Sequence, residues 1–191
     1  MSAWRDAAAA GHVGDEATAR GALDSPDPVV RELALGALDR LGALDDATLL
    51  TAFDDADAQV RRRAVTIAAR RPGVPLLAML DDPMPAVVET AAWACGERAA
   101  TAPAVLDRLI ALAGSADDAL VREAAVAALG AIGDERALPA ILSACTDKPA
   151  VRRRAVLALA PFDGPQVEAA LQAALDDRDW QVRQAAEDLT R

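Results

Sequence analysis

The sequence predicts an all-α protein: an α-solenoid, or superhelix, of about six stacked helix pairs behind an N-terminal capping helix. Three observations predict it. First, a valine, usually followed by arginine, with an alanine three residues further on, recurs at Val30, Val60, Val87, Val121, Val151 and Val182, spaced by 30, 27, 34, 30 and 31 residues. Self-similarity at such a period marks a repeat stack in which each unit is one supersecondary element. Second, apolar residues around each valine keep a helical period. Third, roughly a quarter of the 191 residues are alanine, the best helix former, beside only five aromatics.

The unit is legible from Asp118 to Asp147. Asp118 can accept a hydrogen bond from an orphan backbone N–H and so fits a helix N-cap. Val121, Ala125, Ala128, Leu129 and Ile132 then fall on one face of a helix. Gly130 is expected to weaken that helix and Gly133 to end it. Leu138, Ile141, Leu142 and Cys145 repeat the spacing in a second helix, and Asp147 opens the next turn. Asp27, Asp57 and Asp179 stand at the same capping position. Pro28, Pro85 and Pro149 occupy the first helical position, where a missing N–H costs nothing. The repeats read as about 17–44, 45–71, 72–100, 101–133, 134–162 and 163–191, one domain in all. Residues 1–16, with Trp4-Arg5 and Ala8 echoing the phrase, form a degenerate N-terminal cap.

The formal net charge is −10, which opposes generic attraction to nucleic acid or anionic membranes. Much of it has a structural origin. Asp54-Asp55, Asp81-Asp82, Asp117-Asp118 and Asp176-Asp177 sit in turns, where helix macrodipoles favour negative charge by about 0.3–1 kcal/mol each.

These residues resemble the HEAT-like repeat of the short kind named after phycobilisome lyases. The pattern is matched by Asp27-Pro28-Val29-Val30-Arg31, by Val121-Arg122 with Ala128-Leu129-Gly130, and by Asp134 through Ala137-Leu138-Pro139-Ala140, and it covers about residues 17–191. The resemblance implies an inter-repeat ladder of arginines and carboxylates, with Asp55 and Asp177 in the expected place five residues before a valine. It also implies that the second helices line the concave face.

Repeat three departs from the pattern. Val88 replaces the arginine, Met84 replaces the capping Asp, and Pro72-Gly73 and Pro83 leave only about Val74–Leu80 for the first helix. It also carries Trp93, six residues after its valine, where the other repeats have Gly36, Thr66, Ala127, Leu157 and Asp188. That mixture reads as a partly exposed ridge on which Trp93 is either a binding anchor or a filler beside the shortened helix. Two residues after the valines, Glu32, Arg62, Glu89, Glu123, Arg153 and Gln184 are expected to face the groove, with Arg63 and Arg154 strengthening the positive points. Alternating sign suits a protein or peptide with patterned charge and does not suit a phosphate backbone.

The expected function is a non-catalytic protein- or peptide-binding scaffold. Its contacts are Glu32, Arg62, Arg63, Glu89, Trp93, Glu123, Arg153 and Arg154. A lyase-like enzyme or enzyme accessory of the bilin-lyase group is the alternative, and a nucleic-acid-binding protein the second. His12, the only histidine, lies outside the repeats, and Cys95 and Cys145 form no metal or redox motif, so no catalytic site, metal or cofactor is expected. No apolar run is long enough to span a bilayer and no signal peptide is legible, which makes a cytoplasmic monomer the expectation.

Overall fold

The computed structural model describes residues 3–98 and 100–190. Among these are twelve α-helices, two short 3-10 segments and no strand. The chain divides into two compact units, Met1–Pro75 and Leu76–Arg191.

In the first unit, α1 (Ala3–Val13), α3 (Pro28–Leu41) and α5 (Ala58–Ala68) form one layer, and α2 (Glu16–Ala22) and α4 (Asp46–Phe53) back it. Helix α1 packs on α3 as α3 packs on α5. Its buried residues are Ala7 and Ala10, so the repeat-like register is one residue earlier than the Trp4-Arg5…Ala8 echo. Trp4 stays exposed, with the Arg5 guanidinium 5.2 Å from its ring centre.

In the second unit the front layer is α6 (Pro85–Gly96), α8 (Ala119–Ile132), α10 (Pro149–Ala158) and α12 (Trp180–Thr190). Behind it lie a 3-10 segment (Leu77–Asp81), α7 (Pro103–Ser115), α9 (Leu138–Ala144) and α11 (Pro165–Leu175). The first helix of repeat three is thus reduced to that 3-10 segment. Leu80, Leu106, Leu109, Leu129 and Ile141 are fully buried between the layers, each contributing about 1.5–3 kcal/mol.

The caps are where the sequence puts them. Carboxylates of Asp27, Asp57, Asp118 and Asp179 accept from the N–H two residues on, at 2.8–3.0 Å. Met84 caps nothing with its side chain, but Asp82 accepts the Met84 N–H at 2.8 Å.

The ladder is also present. Arg31 grips both oxygens of Asp55 at 2.7 Å. Arg122 holds Asp147 at 2.6 and 2.8 Å, and Arg152 holds Asp177 at 2.8 Å twice. Each arginine also donates to a carbonyl in the turn before its own helix, such as Arg122 to Ala116 at 2.7 Å. The arginines hold the carboxyls of Asp55, Asp147 and Asp177 below the usual carboxylate range, because the charge-assisted hydrogen bonds favour the ionised form.

Between repeats three and four the rung has lost both ends. Val88 stands in place of the arginine, and Ala116, five before Val121, in place of the carboxylate. Both line a cleft of about 270 Å³. Removing both partners of an ion pair together is far cheaper than removing one. The double change Val88→Arg with Ala116→Asp is therefore expected to show a favourable coupling of about 1 kcal/mol in a urea-unfolding double-mutant cycle, while neither single change stabilises. Zero coupling would mean that the two positions do not face each other.

Front-layer helices approach closely at glycines. A Cβ on Gly96 would lie 2.9 Å from the Ala128 Cα, and one on Gly130 would lie 2.6 Å from the Ala158 Cα and Cβ. Helix α8 continues unbroken through Gly130 to a left-handed cap at Gly133. Gly130 is therefore a contact surface for α10, not the weak point expected from its helix propensity.

Candidate functional site

The front layer of the second unit carries a cleft of about 590 Å³ across α6 and α8, reaching Arg154 on α10. Its floor is alanine: Ala124, Ala127, Ala128 and Ala131 come from one face of α8. Ala128 is held small by the close approach of Gly96, whereas Ala124 and Ala127 are half-buried and Ala131 is exposed. Trp93 forms a wall and is 44% exposed; Leu120, in the first turn of α8, is 56% exposed.

Of the residues expected to bind, Glu89, Trp93, Glu123 and Arg154 line this one cleft. Glu123 is largely enclosed and lies 3.8 Å from Arg153 and 3.6 Å from Arg154, both from α10. These are ion-pair contacts longer than a hydrogen bond. The Nε–H groups of Arg153 and Arg154 are shielded from solvent and, among the described residues, have no acceptor. Glu32, Arg62 and Arg63 belong to the first unit. Arg62 is exposed there, whereas Glu32 and Arg63 are half-buried.

The six-after-valine ridge is not uniform. Gly36 is buried, with the Arg63 guanidinium lying over it, 2.6 Å from where a Cβ would stand. One of the two first-unit equivalents of Trp93 is thus a seat for an arginine, and the other, Thr66, is half-buried.

Sequence reasoning missed Glu97 and Leu120, which also line the cleft. Glu97 had a legible signal, since Glu89, Trp93 and Glu97 are spaced by four and share one face of α6 and its C-cap. Leu120 had none, because one exposed leucine beside a helix cap is ordinary.

The two cysteines are not poised for chemistry. Cys95 is buried and Cys145 half-buried, and burial pushes both thiols up to about 11, so neither is a thiolate at neutral pH. Among the described residues, no group of three or more His, Cys, Asp or Glu side chains is placed to hold a metal ion. None of the described helices is long and apolar enough to cross a membrane.

Comparison with known proteins identifies the repeat. Residues 73–150 match HEAT repeats, and residues 151–177 match the PBS lyase HEAT-like repeat. No curated protein matches the sequence. Among solved structures, the E. coli protein YibA is similar over 98% of this chain and 76% of its own, at 18% identity and a TM-score of 0.76. A designed armadillo repeat protein in complex with the peptide (KR)4 is similar over 98% of this chain and 96% of its own, at 19% identity and a TM-score of 0.61. Human deoxyhypusine hydroxylase is similar over 98% of this chain and 76% of its own, at 22% identity and a TM-score of 0.51. At such identities the likeness establishes the all-α repeat-solenoid fold and nothing about activity. Two adjoining matches that span residues 73–177, on helices joined by recurring arginine rungs, place the chain among the HEAT-like repeat proteins.

Proposed function

We propose that this chain is a non-catalytic scaffold that holds a protein or peptide segment against its second helices. The proposed contacts are Glu89, Trp93, Glu123, Arg153 and Arg154 in the second unit, with Glu32, Arg62 and Arg63 in the first. One observation carries the reading: a tryptophan left 44% exposed beside an alanine-floored cleft with charged walls. Tryptophan and arginine are the side chains most often found at the energetic centre of a protein interface. A designed relative in fold was solved with a peptide bound, which supports the kind of partner. The inert thiols and the lack of a catalytic motif in the sequence weigh against the lyase-like alternative.

Selection of random displayed peptides against the intact chain tests this. Enriched peptides are expected to bind Trp93→Ala about tenfold more weakly, a loss of about 1.4 kcal/mol, with little change in melting temperature. If the variant melts much lower and binds as well as the parent, Trp93 is a packing residue and the scaffold reading loses its anchor.

A further inference from the structure

The cleft has a polarity of its own. Along α6 and its C-cap the stripe Glu89, Trp93, Glu97 sets a carboxylate one helical turn to either side of the indole. Most aspartates of the second unit are engaged in a cap, a rung or a surface ion pair. The carboxylates of Glu89 and Glu97 differ: among the described residues neither has an ion-pair or hydrogen-bond partner, and Glu97 bonds only through its backbone N–H, to Trp93 and Cys95. Three carboxylates (Glu89, Glu97 and Glu123) and one guanidinium (Arg154) line the cleft. On the α10 side the need is reversed. The Arg153 and Arg154 Nε–H donors are shielded from water without an acceptor, and their ion pairs to Glu123 are long. Those Nε–H groups are out of a ligand's reach, but both guanidiniums are part-exposed and committed only to the long Glu123 contacts, so their remaining N–H donors favour an incoming carboxylate. Between the two lies the alanine floor of α8, flanked by exposed Leu120.

From this arrangement we infer that the cleft takes a dipolar peptide segment. An arginine lies over Trp93 between Glu89 and Glu97, small apolar residues cross α8, and an aspartate or glutamate meets Arg153 and Arg154. Arginine suits the α6 end better than lysine because its planar guanidinium stacks on an indole while its edge donates to two carboxylates. The inference rests on the scaffold reading and specifies its ligand.

The test uses the intact chain and fluorescence anisotropy at low ionic strength. Three fluorescein-labelled peptides of equal length share a small apolar centre. One carries arginine at one end and aspartate at the other, one carries arginine at both, and one carries aspartate at both. The mixed peptide is expected to bind tightest and the all-aspartate peptide at least about tenfold more weakly, with both differences shrinking as salt is added. Glu89→Gln with Glu97→Gln touches no fold contact; it is expected to weaken the mixed peptide about tenfold and to narrow the gap to the all-aspartate peptide. The inference is overturned if the glutamine variant binds all three as the parent does, if either the all-arginine or the all-aspartate peptide binds as tightly as the mixed one, or if none binds. Display-selected peptides separate the two levels. Sensitivity to Trp93→Ala without sensitivity to the glutamine pair would keep the scaffold and remove the dipolar ligand.

Discussion

Arg152→Ala is expected to cost about 3 kcal/mol of unfolding free energy and, in a chain of this size, to lower the melting temperature by about 6–12 °C. The Arg152 side chain is only 8% exposed and its partner Asp177 15%. It makes two 2.8 Å bonds to that carboxylate and a third, also 2.8 Å, to the Asp147 carbonyl. Asp147 is itself held by Arg122, and the Asp177 carbonyl accepts from Arg183 at 2.7 Å. Truncation therefore leaves an enclosed carboxylate and an enclosed carbonyl short of donors at once, which costs more than the rung was worth. Arg152→Lys is expected to recover only part of the loss, since an ammonium cannot span three acceptors in a fixed fork.

The same rung has a signature in acid. Arg152 holds the Asp177 carboxyl below its ordinary value. A group whose pKa is depressed in the folded state adds stability above its unfolded pKa, near 4, and loses it as pH falls through the folded value. Unfolding measured from neutral pH downward is expected to steepen below about pH 4 in the parent and to flatten in Arg152→Ala. Equal acid slopes in the two proteins would show that the rung does not contribute through this carboxylate.

Gly130→Val is the second large effect, at about 3 kcal/mol destabilising. The added Cβ would meet Ala158 Cα and Cβ at 2.6 Å and the Ala158 carbonyl oxygen at 3.0 Å. Those atoms are backbone and methyl, with no flexible chain to swing aside, so α8 and α10 must separate. The control is Gly114→Ala on α7, where a Cβ meets nothing within 4 Å. There the restricted unfolded chain and better helix propensity are expected to give a gain of up to about 1 kcal/mol. Chemical denaturation of the two variants therefore yields opposite signs from the same residue type. A neutral Gly130→Val would mean that the two helices are not held at this spacing.

The contrast between these glycines separates what is written locally from what stacking decides. Helix starts, the Asp caps at 27, 57, 118 and 179 and the first-turn prolines were legible because each follows from a residue's distance to its own valine, and the Asp55 and Asp177 rungs were legible from the resemblance to the HEAT-like repeat. Trp93 and three of the charged cleft residues were legible for the same reason, as fixed offsets along a helix face. Stacking decided the rest. Gly130 reads as a weak helix residue until Ala158 arrives above it, and Gly36 reads as part of an exposed ridge until Arg63 covers it. Leu120 shares the cleft with Trp93 only because α6 and α8 pack at the short distance set by Gly96 against Ala128. By itself the sequence determined the repeat, its caps and the odd unit, since hydrogen bonds within a turn depend on neighbours a few residues away; the ladder, whose rungs join residues 24 or 25 apart, was implied only by the resemblance to the HEAT-like repeat. The tertiary structure alone decided which side chains of different helices make one charged, alanine-floored cleft, since that depends on the offset and separation of helices some thirty residues apart.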